Sequence, residues 1–78
     1  MRRKIAKRIR REILKRAKLV KEGWTKKGKR KKDWCFDVWC ECNGWKIFSA
    51  DDNELSAYKG ALDCIKIAEE EPFVEAET

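Results

Sequence analysis

The stretch Trp34–Ala50, WCFDVWCECNGWKIFSA, decides the fold. Asn43-Gly44 at its centre marks a type I′ turn, which needs φ > 0 at both central residues; Asn tolerates that conformation and Gly adopts it freely. A two-residue loop sets the register: Cys42 faces Trp45, Glu41 faces Lys46, Cys40 faces Ile47, Trp39 faces Phe48 and Val38 faces Ser49. This places one opposite-charge pair and one aromatic pair directly across the strands, each contributing roughly 0.2–1 kcal/mol. Alternation then sorts the side chains. Phe36, Val38, Cys40, Cys42, Trp45 and Ile47 share the natural core face; Cys35, Asp37, Trp39, Glu41, Lys46, Phe48 and Ala50 share the other. Trp39 and Phe48 are expected beneath the N-terminal helix; left open, they would form a stacking platform for bases or an adhesive patch for a protein.

Upstream, Ile5, Ile9, Ile13, Ala17 and Val20 recur at three- and four-residue spacing, with Ala6, Leu14 and Leu19 beside them. The spacing predicts a helix from Arg2 to Glu22, about 18–20 residues long, capped by Gly23. Its first turns are cationic nearly all round, which the helix dipole disfavours, so residues 1–12 are expected to project as a basic arm. The Lys26–Lys32 run, KKGKRKK, repels itself and reads as an exposed loop. Trp24 and Thr25 have β propensity, so a short extra strand turning near Gly28 would convert the hairpin into a three-stranded meander. After Ser49, Asp51 as N-cap with Glu54 three residues on opens a second helix. Leu55, Tyr58, Leu62, Ile65 and Ala68 form its buried stripe, with Ala61 and Cys64 beside it, and Pro72 lies beyond its end. Gly60 in mid-helix is explained by close approach to a neighbour. Residues 73–78 read as a loose acidic tail. The expected fold is a single α+β domain over 1–78: basic helix, hairpin or three-stranded meander, and acidic helix packed on the sheet.

With 78 residues, the chain buries only roughly 60% of its unfolded surface. Its net charge of +6 hides a split. Residues 1–32 hold 17 Lys/Arg against Glu12 and Glu22, a net +15, whereas residues 33–78 hold 3 Lys against 12 Asp/Glu, a net −9. Such asymmetry fits a polyanionic partner for the first half, or attraction between the halves of one chain or of a dimer. No apolar run approaches the ~20 residues of a membrane span, and the N-terminus lacks the apolar region of a secretory signal. A cytoplasmic setting follows as an expectation, or a nuclear one in a eukaryotic host.

Four cysteines and no histidine invite a metal or disulfide reading. The C-x4-C-x-C spacing with a distant Cys64 is unlike the C-x2-C pairs of zinc sites, and alternation points Cys35 away from Cys40 and Cys42. Buried reduced thiols are the simpler expectation, with no metal and no cofactor. No histidine, nucleophile elbow or phosphate loop is present, so no catalytic residue is assigned and an enzyme is not expected.

The segment Phe36-Asp37-Val38, Asn43-Gly44 and Glu54-Leu55-Ser56-Ala57-Tyr58-Lys59-Gly60-Ala61-Leu62 resembles the second half of a double-stranded-RNA-binding domain. That resemblance implies phosphate-binding lysines at the start of the last helix, where this chain has Asp51, Asp52 and Glu54, so the binding surface would have to lie in the basic half. Ala17, Leu19 and Gly23-Trp24-Thr25, with the later Gly60-Ala61-Leu62, also resemble a family of small uncharacterised phage and bacterial proteins; the resemblance implies no activity and raises the expectation of a phage or mobile-element source.

Two functions fit. In the first, Arg2, Arg3, Lys7, Arg8, Arg10, Arg11 and Lys15, with Lys26, Lys27, Lys29, Arg30, Lys31 and Lys32, bind nucleic acid or a nucleoprotein through phosphates. The basic helix could also rest on an anionic membrane surface, for which its apolar stripe is narrow, or simply keep the domain soluble. In the second, Trp39 and Phe48, or Asp51, Asp52 and Glu54, meet a host protein, as an anti-CRISPR-like inhibitor would. The unpaired edges of a small sheet also allow a homodimer.

Overall fold

The structure, a computed structural model, describes residues 2–74. Helix α1 (Arg2–Arg16) is followed by strands β1 (Lys18–Lys26), β2 (Trp34–Cys42) and β3 (Trp45–Asp51) and helix α2 (Glu54–Glu70). The strands form one antiparallel sheet in the order β1-β2-β3. The protein is therefore an α+β domain with a three-stranded meander between two helices.

The hairpin forms in the expected register, from Cys42↔Trp45 to Val38↔Ser49, and two more pairs, Asp37↔Ala50 and Phe36↔Asp51, extend it. Asn43 and Gly44 both take positive φ, 54° and 88°. The turn is also anchored: Asn43 Nδ2 donates to the Ala68 carbonyl at 3.0 Å, and the Phe73 amide donates to the Asn43 carbonyl at 3.0 Å.

Helix α1 is shorter than the apolar spacing predicts. Its last turn is closed by the Ala17 amide on the Ile13 carbonyl at 2.8 Å, and Lys18 onward joins the sheet. Leu19 and Val20 satisfy a helical stripe and a strand equally, and pairing with β2 gives the backbone a ladder that an exposed helix end lacks. Gly23, expected as a helix cap, lies within β1 opposite Asp37. A bulge at Val20 shifts the β1 register between Leu19 and Lys21. Within the basic arm expected over 1–12, Ala6 is buried and Ile9 packs on the core, so this part of α1 is docked; Met1 lies outside the described residues. Ile5 and Leu14, by contrast, are exposed.

Both helices cover one face of the sheet and pack on each other. Ala6 and Ile13 from α1 and Ala57, Tyr58, Ala61, Ile65 and Ala68 from α2 join Phe36, Val38, Cys40, Cys42 and Ile47 in a single core. Trp45 falls outside it: the indole sits at the sheet margin, donates to the Glu71 carbonyl and stacks edge-on against Phe73 at 4.8 Å. The cap of α2 is Asn53, not Asp51; its Oδ1 accepts from the Ser56 amide at 2.8 Å. Asp51 is still paired with Phe36 in β3 and cannot reach the first turn. Gly60 marks the close approach of α2 to β3, since a Cβ there would stand 2.6 Å from Ser49 Oγ. Glu75 to Thr78, most of the expected acidic tail, lie outside the described residues.

Candidate nucleic-acid interface

A three-element knot positions the basic helix. Glu22 projects from β1 toward the helices; Arg10 Nε donates to both its oxygens, at 2.7 and 3.0 Å, and the Tyr58 hydroxyl donates to Oε1 at 2.6 Å. Burial opposes the charge on Glu22, but these hydrogen bonds outweigh it and hold the carboxyl below its ordinary value. Burial, then the bond to Glu22, pushes the Tyr58 phenol well above its own. Arg10, expected among the phosphate contacts, is thus committed internally. So is Arg16, which bridges Glu12 and Glu69 at 2.8 Å each.

The remaining basic residues are brought to one end and one side. Arg3 shares a shallow groove with Trp24, and Trp24 lies in β1 two residues from Lys26, which pairs with Trp34 across the loop. The start of α1 and the Lys26–Lys32 loop, distant in sequence, therefore converge at the same end of the sheet. The loop is closed by Asp33, whose carbonyl accepts from the Lys27 amide at 2.6 Å and whose carboxylate accepts from the Arg30 amide at 3.1 Å. Lys26, Lys29, Arg30, Lys31 and Lys32 are exposed, as are Arg3, Lys7, Arg8, Arg11 and Lys15 on α1, and none makes an ion pair among the described residues. The backbone of Arg2 begins α1.

The acidic residues do not form a separate surface. Glu54 lines the same groove as Lys7, Arg11 and Tyr58. Asp51 and Asp52 are exposed beside it and bond locally, the Asp52 amide donating to Asp51 Oδ1 at 2.7 Å.

The second face of the sheet carries no helix, so Trp39 and Phe48 are not beneath α1 as expected. Their rings stack at 4.2 Å between centroids with a 35° tilt and remain 41% and 46% exposed. The α1 side chains follow the apolar face, because covering this one would have stripped water from exposed Glu41 and Lys46. Lys27 reaches onto this face from the base of the loop. Its ammonium donates to Asp37 Oδ2 at 2.9 Å and lies 5.8 Å from the Phe48 ring centre. That bond, against the cost of burial, holds the Asp37 carboxyl below the ordinary carboxylate range. Lys18 and Lys21 join the face from β1, opposite Glu41 and Trp39. A helical reading of residues 18–22 hides them; the alternation of β1 reveals them once its pairing is known.

The four cysteines are unpaired. Cys40 and Cys42 are buried in the core, where burial lifts the Cys40 thiol to about 11, and among the described residues no three acidic or thiol side chains converge as a metal site would require. No described helix is long and apolar enough to cross a membrane. Comparison with protein-family models, with curated proteins and with solved structures finds no match to this chain.

Proposed function

We propose that this protein is a non-enzymatic nucleic-acid-binding module that holds phosphates with the exposed cations of α1 and of the 26–32 loop. The observation that carries this function is the convergence of two basic segments, far apart in sequence, at one end of the sheet, where among the described residues all of their exposed cations but Arg10, Arg16 and Lys27 are free of ion pairs. A structural need for charge would have tied them to the acids of α2; among the described residues only Arg16 is so tied, to Glu69. Exposed Trp24 and Trp34 flank the same end, and cations interleaved with aromatic rings suit a nucleic-acid backbone. If about five phosphates are neutralised, log K falls with log salt at a slope of roughly −4 to −5. Gel-shift titration against duplex RNA, duplex DNA and single strands at two salt levels tests this. Absence of binding at low salt refutes it.

The uncovered Trp39/Phe48 face favours a second function, a protein-binding modulator of a host machine of the kind a phage or mobile element encodes. Replacing Trp39, or reversing the charge of Glu54, would then abolish partner capture while neutralising the 26–32 loop left it intact.

A further inference from the structure

We infer that the helix-free face of the sheet binds the unpaired bases of a single strand, with Trp39 and Phe48 as the stacking platform. This rests on the nucleic-acid function proposed above and narrows its ligand from polyanions in general to single strands.

The two rings stack on each other, 4.2 Å between centres, and each stays more than two-fifths exposed to solvent. They lie on a chain whose core already holds Phe36 and Tyr58, so these rings are not spare packing. A duplex hides its base faces within the stack, whereas a single strand splays them out for aromatic side chains. The flanks match the strand's backbone. Lys21 and Lys46 border Trp39 and, with Val20 and Glu41, line an open depression beside it of about 340 Å³. Lys27 lies next to Phe48 and links the face to the basic loop.

Asp37 fixes the Lys27 end of this face: its side chain is only 6% exposed and its Oδ2 accepts from the Lys27 ammonium at 2.9 Å, which holds that cation beside Phe48.

Charge decides against a second copy of this chain as the occupant. The face carries Lys18, Lys21, Lys27 and Lys46 against Asp37 and Glu41, so a self-complementary contact would set a net positive surface against itself.

The test is fluorescence anisotropy with labelled dT and dA homopolymers of about 12 nucleotides and a duplex of equal length, at about 50 and 200 mM salt. Trp39→Ala and Phe48→Ala should each weaken single-strand binding by about 5- to 150-fold, with duplex binding and the salt slope unchanged. Trp39→Tyr should retain most of the affinity. Thermal melts of the alanine variants should fall by no more than about 4–8 °C, the loss of one cross-strand pair, because neither ring is in the core. If both alanine variants bind single strands as wild type does while loop variants lose binding, the phosphate function stands and the stacking site falls. An equal loss on single strands and duplex also overturns the stacking site. If no oligonucleotide binds at low salt, the proposed function fails and takes this inference with it. A dimer in light scattering that Trp39→Ala converts to a monomer would assign the face to a second copy and overturn the inference.

Discussion

Replacing Tyr58 by Phe removes one hydroxyl and nothing else from a buried position, and its effect measures how firmly the basic helix is held. The hydroxyl donates to Glu22 at 2.6 Å, within the same carboxylate that Arg10 grips with one nitrogen. A hydrogen bond to a charged group contributes about 1.5–3 kcal/mol. Glu22 keeps Arg10, so the carboxylate is not stranded and the lower end applies, about 1.5 kcal/mol. In a domain of this size each kcal/mol moves Tm by roughly 4–8 °C, so a melt followed by circular dichroism should fall by about 6–12 °C. Arg10→Met attacks the same knot from the other side. Arg10 is 40% exposed and Glu22 25%, so solvent screens that pair and its loss costs about 1 kcal/mol.

The two variants should couple in a double-mutant cycle, since they share one carboxylate. The decisive comparison is with the neighbouring arginine. Arg11→Met should leave stability within about 0.5 kcal/mol of wild type while reducing the salt slope of nucleic-acid binding by about 1. Arg10→Met should do the reverse, lowering Tm and leaving the slope alone. If Tyr58→Phe melts with wild type, or if Arg10→Met cuts the slope at unchanged Tm, the knot is not structural and Arg10 belongs to the binding surface.

Acid should weaken the fold through Glu22, whose folded carboxyl lies below its ordinary value. The stability it contributes is complete above the unfolded value near pH 4.3 and is lost as pH falls through the lower folded one, so Glu22→Gln should flatten chemical-denaturation midpoints across that window. Gly60→Ala should fail to deliver the ~1 kcal/mol that helix propensity alone provides, because the new Cβ meets Ser49 Oγ; with Ser49→Ala in place the same change should stabilise. A full gain in the wild-type background would contradict the close approach of α2 and β3. Alkylation with iodoacetamide near pH 8.5, read by mass spectrometry, should mark exposed Cys64 first and spare Cys40, buried and with its thiol pushed up to about 11; early labelling of Cys40 would show that the core face is misassigned.

What was legible in the chain follows from how local each determinant is. Asn43-Gly44 imposes a turn and a register without help from anything distant, and the pairs from Val38 to Trp45 form in that register. The end of α1 had no such determinant. Leu19 and Val20 fit either periodicity, and only the edge that β2 presents to residues 18–26 settles the choice. Asn53, one of three adjacent capping residues, was likewise indistinguishable from Asp51 until β3 was seen to run through Asp51. The basic cations were legible as a group but not individually, because the partner that withdraws Arg10, Glu22, lies on an element that the helical spacing absorbed.

The open face shows that a signal can be present and still be outweighed by a stronger one. Trp39 and Phe48 are the largest apolar groups on the second face, and burying them promises about 25 cal/mol per Å² covered. Yet Glu41, Lys46 and the Lys27 ammonium that pairs with Asp37 stand beside them, and a helix laid there would strip water from three charges to cover two rings. Stripping one unpaired charge costs several kcal/mol, more than either ring returns. Both helices therefore take the face of Phe36, Val38, Cys40, Cys42 and Ile47, where the one carboxylate from β1, Glu22, is met by Arg10 and Tyr58. The consequence reaches function: the charges that repel a helix from the second face are what leave its aromatic pair open to a ligand. Neutralising them should close the face. Glu41→Val with Lys46→Val should raise Tm or drive self-association in light scattering, while weakening single-strand binding at unchanged Trp39. A variant that stays monomeric and binds as wild type would show that charge does not keep this face open.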